Sequence, residues 1–269
     1  MSLNLPVRQS HNSAKTFLFI GDIHVPFHDV LATNLLLEFI RIHRPDTIYL
    51  IGDIVDFYTL SKYDKNPKRL ITLQDDLDQA VELLTAIREA AGTECRMYFR
   101  SGNHEYRLDK YLAAHPEISQ LRAMRLSSLL EFKTLEIKEI GYTEYHELFG
   151  IQVEHGDLVR KRSGSTAGGM LDKRWKSGIS GHTHRLGIHY VSNQSGDYFW
   201  AENGCLCSVS PHYIIGRPDW HQGFSLVSKV DGHLVIEQAR IVDSRLLFRD
   251  QKYFIDGRSA RPFKGVNIP

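Results

Sequence analysis

The first hundred residues alternate between short apolar runs and longer stretches with helical periodicity. Apolar residues dominate 16–20, 47–51 and 95–100, lengths that are typical of buried β-strands. Between these runs, 31–43 and 70–91 carry apolar residues at the spacing of an amphipathic helix. Strands that alternate with helices in this way indicate parallel pairing through helical crossovers.

The pattern becomes β-rich in the second half of the chain. Residues 105–131 look helical with an interruption at His115-Pro116, and 163–175 predict one further helix. The predicted strands are 134–139, 148–154, 178–180, 188–192, 198–202, 224–230 and 233–241. We therefore expect one domain over 16–250, a flexible lead-in at 1–15 and a tail at 251–269.

Composition narrows the class of protein. A net charge of +1 gives no electrostatic signal for non-specific nucleic-acid binding. The sequence contains no secretory signal and no apolar run that would span a membrane, so we expect a cytoplasmic protein without a membrane partner. Three cysteines are too few for a disulfide framework. Fourteen histidines are the unusual count, and histidine is the commonest metal ligand.

Five apolar strands end in polar clusters that contain metal-ligand residue types. The clusters are Gly21-Asp22-Ile23-His24, Gly52-Asp53-Ile54-Val55-Asp56, Gly102-Asn103-His104-Glu105, Glu154-His155-Gly156-Asp157 and Gly181-His182-Thr183-His184. Any one of them alone is typical of an ordinary polar turn. Because the carboxyl ends of parallel strands meet at one edge of a sheet, the five together predict a shared site.

In this order the clusters resemble a known pattern. It reads D-x-H, G-D-x-x-D, G-N-H-[DE], a lone His and G-H-x-H, and belongs to the calcineurin-like metallophosphoesterases. The match spans residues 21–184, and the segments at 200–207 and 219–224 resemble compact bacterial and phage members. The resemblance implies an α/β fold, a four-layer αββα sandwich of two mixed sheets flanked by helices.

The resemblance also implies a pair of divalent metal ions and their ligands. One ion would be held by Asp22, His24 and His184, the other by Asn103, His155 and His182, with Asp53 between them. An oxygen and imidazole set suits Mn²⁺, our first choice, or Fe, Zn or Ni, better than calcium or magnesium. Such a pair lowers the pKa of a shared water, so that hydroxide attacks a phosphate near neutral pH.

Three neighbours of the ligands receive supporting roles from the same resemblance. His104 would act as proton donor or electrostatic stabiliser beside the leaving-group oxygen. Asp56 and Glu105 would orient His104 or a ligand imidazole. A plain helix N-cap is the competing reading for Asp56.

Substrate contacts are less clearly marked in the sequence. Arg185, which adjoins His184, is our preferred phosphate contact, followed by Arg160 and Arg107, although 160–162 also reads as a solvated charge run. Phe57-Tyr58 replaces the Arg-Gly that protein phosphatases of the family have, and Tyr63 lies nearby in the sequence. The missing arginine argues against that activity, and the aromatic residues predict either base stacking or simple packing. Cys205 and Cys207 read as buried structural cysteines.

These inferences lead to one functional prediction with two alternatives. We expect a metal-dependent enzyme that hydrolyses phosphomonoesters or phosphodiesters in a phosphorylated small molecule, nucleotide or nucleic acid. A nuclease or nucleotide phosphodiesterase is the alternative within the superfamily, and a catalytically silent metal-binding scaffold is the alternative of another class. The sequence indicates no obligate protein partner.

Overall fold

The computed structural model describes residues 15–67, 69–209, 218–249 and 251–253. The helices found there are α1 (Val30–His43), α2 (Leu73–Ala91), α3 (Tyr106–Ala114), α4 (Pro116–Ser119), α5 (Leu126–Leu129) and α6 (Ser165–Arg174). The strands are β1 (Lys15–Ile20), β2 (Thr47–Leu50), β3 (Arg96–Arg100), β4 (Ile137–Ile140), β5 (Glu147–Leu148), β6 (Ile151–Glu154), β7 (Gly178–Ser180), β8 (Gly187–Asn193), β9 (Gly196–Glu202), β10 (Gln222–Val230), β11 (His233–Val242), β12 (Arg245–Phe248) and β13 (Gln251–Tyr253).

The described strands form two mixed sheets. The larger has eight strands in the order β13-β12-β11-β10-β1-β2-β3-β4, and β1 to β4 are mutually parallel. The smaller has five strands in the order β5-β6-β7-β9-β8, with β6, β7 and β9 parallel. The parallel strands therefore bring the carboxyl ends of β1, β2, β3, β6 and β7 to the same side of the molecule.

Side chains that alternate between the two faces of the strands hold the four layers together. In β1, Leu18 and Ile20 pack against α1 and α2, while Phe17 and Phe19 face the smaller sheet. On the far side, Trp200 of β9 packs against α6. The order helix, sheet, sheet, helix confirms the αββα sandwich.

Several boundaries differ from the sequence prediction, and three of the differences change the description of the fold. A turn at Phe149-Gly150 splits the expected strand at 148–154 into the β5–β6 hairpin. Residues 105–131 break into short helical pieces instead of a helix with one interruption. Gln251–Tyr253, assigned to the tail, pairs with β12, so ordered structure extends past residue 250. The rest of the tail and residues 1–14 lie outside the described residues.

None of the helices in the described part of the chain combines the length and apolar character needed to cross a lipid bilayer.

Candidate metal centre

Loops that follow the parallel strands carry all seven predicted ligands to one place. Five of the seven, Asp22, His24, Asp53, His182 and His184, have φ between 52° and 69°, the left-handed region that non-glycine residues rarely adopt. Each such residue costs about 1–3 kcal/mol, and strain of this kind collects at functional sites.

Close backbone approach explains the glycine that precedes Asn103. A Cβ at Gly102 would lie 2.2 Å from Asp53 Oδ1 and 2.5 Å from the Asp53 backbone nitrogen. Any larger residue would push the loop after β3 away from the loop after β2. The glycine therefore sets the distance between two of the predicted ligand loops.

The first group of candidate ligands joins β1 to the loop after β7. His24 Nε2 lies 3.1 Å from His184 Nε2, and His184 Nε2 lies 3.2 Å from Asp22 Oδ1. The Asp22 carboxylate also accepts a hydrogen bond from the His182 backbone N–H at 3.0 Å. All of these side chains except His182 are buried.

The second group surrounds Asp53. His155 Nε2 lies 3.2 Å from Asp53 Oδ2 and 3.0 Å from Asn103 Oδ1. His182 offers a third ligand atom within 4.8 Å of the Asp53 and His155 atoms. Asp53 Oδ2 also lies 3.8 Å from His24 Nε2, so this carboxylate stands between the two groups.

The outward-facing nitrogens show where two of the imidazoles carry a proton. His24 Nδ1 lies 3.2 Å from Asp56 Oδ2, and His155 Nδ1 lies 3.0 Å from the Ile51 carbonyl. Both partners are acceptors, so Nδ1 carries a proton and Nε2 is the nitrogen left to face a cation. His184 Nδ1 has a sulfur partner, Cys207 Sγ, at 3.7 Å.

Ligand-type atoms therefore face one another inside a largely buried site. Donor atoms that share a cation at bond lengths of about 2.0–2.2 Å lie roughly 3.0–3.5 Å apart, depending on geometry. The distances of 3.0–3.2 Å from Nε2 atoms to oxygens, and the 3.1 Å between the Nε2 atoms of His24 and His184, match that spacing. The residues thus fit two divalent cations with Asp53 shared between them.

Electrostatics support the same conclusion. Burial lowers the pKa of His155, but the Asp53 carboxylate outweighs burial and raises this pKa to about 9, so a cation bound at Nε2 would displace a proton. Burial raises the pKa of Asp53, but the imidazoles of His155 and His104 outweigh it and hold this pKa well below its usual value. The site therefore attracts positive charge to the position between the ligands.

Asp56 and Glu105 stand in different relations to the imidazoles. Asp56 Oδ2 lies 3.2 Å from His24 Nδ1 and 3.1 Å from His104 Nδ1, the contact expected of an orienting carboxylate. Phe57 is the residue that precedes the 3₁₀ turn at Tyr58–Leu60, so Asp56 is no helix N-cap.

Glu105 contacts backbone instead of an imidazole. Its Oε1 accepts from the N–H groups of Ile54 and Val55, and its Oε2 accepts from those of Asp53 and Gly102, at 2.7–2.9 Å. The expectation that Glu105 orients an imidazole is wrong. It holds the loop after β2 against the loop after β3.

His104 lies at the open side of the centre. Its Nδ1 lies 2.9 Å from the Asp56 carbonyl, and its Nε2 lies 3.0 Å from Arg107 Nη2. Because guanidinium only donates, Nε2 acts as acceptor in this arrangement. Arg107 also donates to the Asp56 carbonyl at 2.8 Å.

A pocket of about 530 Å³ opens onto these residues. Among its described lining residues are His104, Arg107, Tyr58, Tyr63 and Trp220. The Trp220 ring centre lies 4.3 Å from that of His184. Phe57 is fully buried and is not among the lining residues, so of the predicted aromatic pair only Tyr58 lines the pocket.

Arg185 and Arg160 are directed elsewhere. Arg185 Nε donates to the Asp219 carbonyl at 3.1 Å, and its Nη1 donates to the Arg160 carbonyl. Arg160 packs against Gly169 of α6 and donates to the Ser165 carbonyl. Of the three predicted arginines, Arg107 alone is among the described residues that line the pocket.

Sequence reasoning missed two residues at the centre, Cys207 and Trp220. Their neighbour, His184, lies 23 and 36 positions away along the chain, so no local spacing signals either contact.

Comparison with known proteins agrees with this geometry. A sequence model described as calcineurin-like phosphoesterase matches residues 15–216. The chain belongs to this family. It is 27% identical over 264 residues to the Gene 54 protein of Mycobacterium phage L5, covering 91% of this chain and 98% of that protein.

Two other similarities are more distant. UDP-2,3-diacylglucosamine hydrolase of Pasteurella multocida is 25% identical over 222 residues, which cover 66% of this chain and 85% of that protein. The structure of Vacuolar Protein Sorting 29 from Cryptosporidium parvum is 16% identical and covers 90% of this chain and 99% of that chain, with a TM-score of 0.48.

Proposed function

We propose that this protein is a dinuclear-metal-dependent hydrolase of phosphoric esters. The observation that carries the proposal is the set of ligand atoms of Asp22, His24, Asp53, His155 and His184 that face one another at 3.1–3.8 Å. Together with Asn103 and His182, these residues would hold two divalent cations, Mn²⁺ in first place. When bound, such a pair activates water and neutralises charge on a phosphate.

The protein's own groups supply the rest of the reaction. Arg107 lies at the pocket with a guanidinium that suits a phosphate oxygen, because charge-assisted bidentate pairs are strong. Once Arg107 turns to the substrate, His104 Nε2 loses the donor that now occupies its lone pair. His104, fixed through Nδ1 by Asp56, is then free to carry a proton at Nε2 toward a leaving oxygen.

The test compares His104→Ala with wild type on p-nitrophenyl phosphate and bis-p-nitrophenyl phosphate with added Mn²⁺. We expect both proteins to bind equal metal and the variant to lose about 10²–10⁴-fold in kcat. His189→Ala, an exposed histidine on β8, is the matched control and should keep wild-type activity. Parallel loss of metal and activity in His104→Ala would contradict the assignment. Wild-type protein that binds metal but hydrolyses neither ester would favour a scaffold.

The pocket wall favours a second, narrower proposal, that the esters are those of nucleotides. Tyr58, Tyr63 and Trp220 surround the opening beside His104, and bases stack on such rings for about 1–3 kcal/mol. The relative from Pasteurella multocida is named for a uridine diphosphate substrate, which also carries a base.

A pair of tryptophan variants tests this proposal. Trp220→Ala should raise KM for nucleotide esters by roughly tenfold or more and leave KM for small alkyl phosphates near wild type. Trp175→Ala removes an exposed tryptophan outside the pocket lining and should change neither. Equal effects of Trp220→Ala on both substrate classes would argue for packing instead of base stacking.

A further inference from the structure

Two cysteines lie directly behind the metal centre. Cys205 and Cys207 follow β9 and are buried, and with His184 they place three ligand-type atoms within 4.8 Å of one another. Cys207 Sγ lies 3.7 Å from His184 Nδ1, the ring nitrogen that points away from Asp22 and His24.

The direction of the hydrogen bonds around the two thiols follows from the acceptor at their far end. Cys205 Sγ lies 3.7 Å from the carbonyl oxygen of His221, which only accepts, so Cys205 donates to it. The Cys205 and Cys207 sulfurs lie within 4.8 Å of each other, and with its own proton committed, Cys205 is left as an acceptor toward Cys207. Cys207 in turn has lone pairs left to accept from His184 Nδ1–H.

This order assigns the His184 tautomer. With its proton on Nδ1, His184 presents a bare Nε2 to Asp22 and His24 at 3.2 and 3.1 Å. His24 and His155 reach the same state through oxygen acceptors, Asp56 and the Ile51 carbonyl. Each of these three imidazoles thus has its own acceptor behind it, and for His184 the acceptor is sulfur.

We propose that Cys207, supported by Cys205, is the positioning residue that fixes the tautomer and ring orientation of His184. This inference rests on the proposed metal centre in one respect, that His184 binds a cation through Nε2. Loss of such a partner typically lowers metal affinity by 10–100-fold. The thiols hold the imidazole and do not themselves bind the cation.

The test measures Co²⁺ binding to the full-length chain by chelator competition and by absorption spectroscopy. We expect Cys207→Ala to lower the Co²⁺ affinity of one of the two sites by about 10–100-fold and to leave the affinity of the other unchanged. Cys207→Ser, whose hydroxyl also accepts a hydrogen bond, should restore part of that loss. Cys95→Ala, a buried cysteine of the helical face, should bind as wild type does.

Three results would overturn the proposal. Wild-type affinity in Cys207→Ala is the first, and an equal loss in Cys207→Ala and Cys207→Ser, without rescue, is the second. The third is an intense sulfur-to-cobalt charge-transfer band in wild type, because it would make a cysteine a ligand. If Cys207→Ala fails to fold, the serine variant and the wild-type spectrum still decide. Wild type that binds no Co²⁺ would instead contradict the metal centre itself.

Discussion

The Glu105 carboxylate offers a direct test of how the loops are held together. It is buried, and it accepts four backbone hydrogen bonds from the loops after β2 and β3. Glu105→Gln keeps the shape but replaces one oxygen by an NH₂ group, which faces two backbone N–H donors. Each buried donor without an acceptor costs about 1–3 kcal/mol, so two cost about 2–6 kcal/mol. A domain of this size has only about 5–15 kcal/mol of stability.

Urea unfolding followed by circular dichroism measures this loss of stability. Metal analysis of the folded variant measures a second effect, on metal binding. Because Asp53 is one of the anchored residues, we expect the variant to bind metal less tightly as well. Glu139→Gln makes the same chemical change at an exposed position of β4 and should leave the urea midpoint unchanged. Equal midpoints for Glu105→Gln and Glu139→Gln would refute the role of Glu105 in holding the loops.

Two further predictions concern the arginines and a buried carboxyl. Arg107→Ala should lower kcat/KM roughly ten- to hundredfold, because the substrate loses one charged hydrogen bond. Arg185→Ala should stay near wild type in the same assay, because the Arg185 guanidinium is held by Asp219. A larger loss in Arg185→Ala than in Arg107→Ala would contradict the pocket assignment. Burial raises the pKa of Asp76 from 3.8 to about 6 despite its ion pair with Arg69. The folded state therefore binds this proton more tightly than the unfolded state does. The resulting contribution to stability is complete below pH 3.8 and is lost as pH rises through about 6. Relative to Asp76→Asn, wild type should lose about 2 kcal/mol of unfolding free energy between pH 4 and 7; a difference that does not vary with pH would contradict this.

Local pattern was enough to place the strands that carry the site. The apolar runs that end in Gly21-Asp22 and Gly52-Asp53 are β1 and β2, and their parallel pairing follows from the helix between them. The local pattern failed at Phe149-Gly150, where one apolar run contains two strands joined by a tight turn. Periodicity alone does not mark such a turn, because both sides of it are strand.

The roles of individual side chains depended on contacts that a sequence does not show. Glu105 binds backbone N–H groups, which every residue carries, so nothing in the chain marks them as its partners. Arg185 adjoins a ligand in sequence, yet its side chain turns to Asp219. Cys207 reaches His184 only because β9 and the loop after β7 lie side by side.

The central claim is that Asp53 joins two cation sites into one centre. The most direct measurement is the number of Mn²⁺ ions bound per chain, by plasma mass spectrometry after dialysis, in wild type and Asp53→Asn. We predict two ions in wild type and a nearly empty site in the variant, since a neutral amide removes the charge that stands between His24 and His155 at 3.8 and 3.2 Å. Two ions retained by Asp53→Asn, or none bound by wild type, would contradict the account.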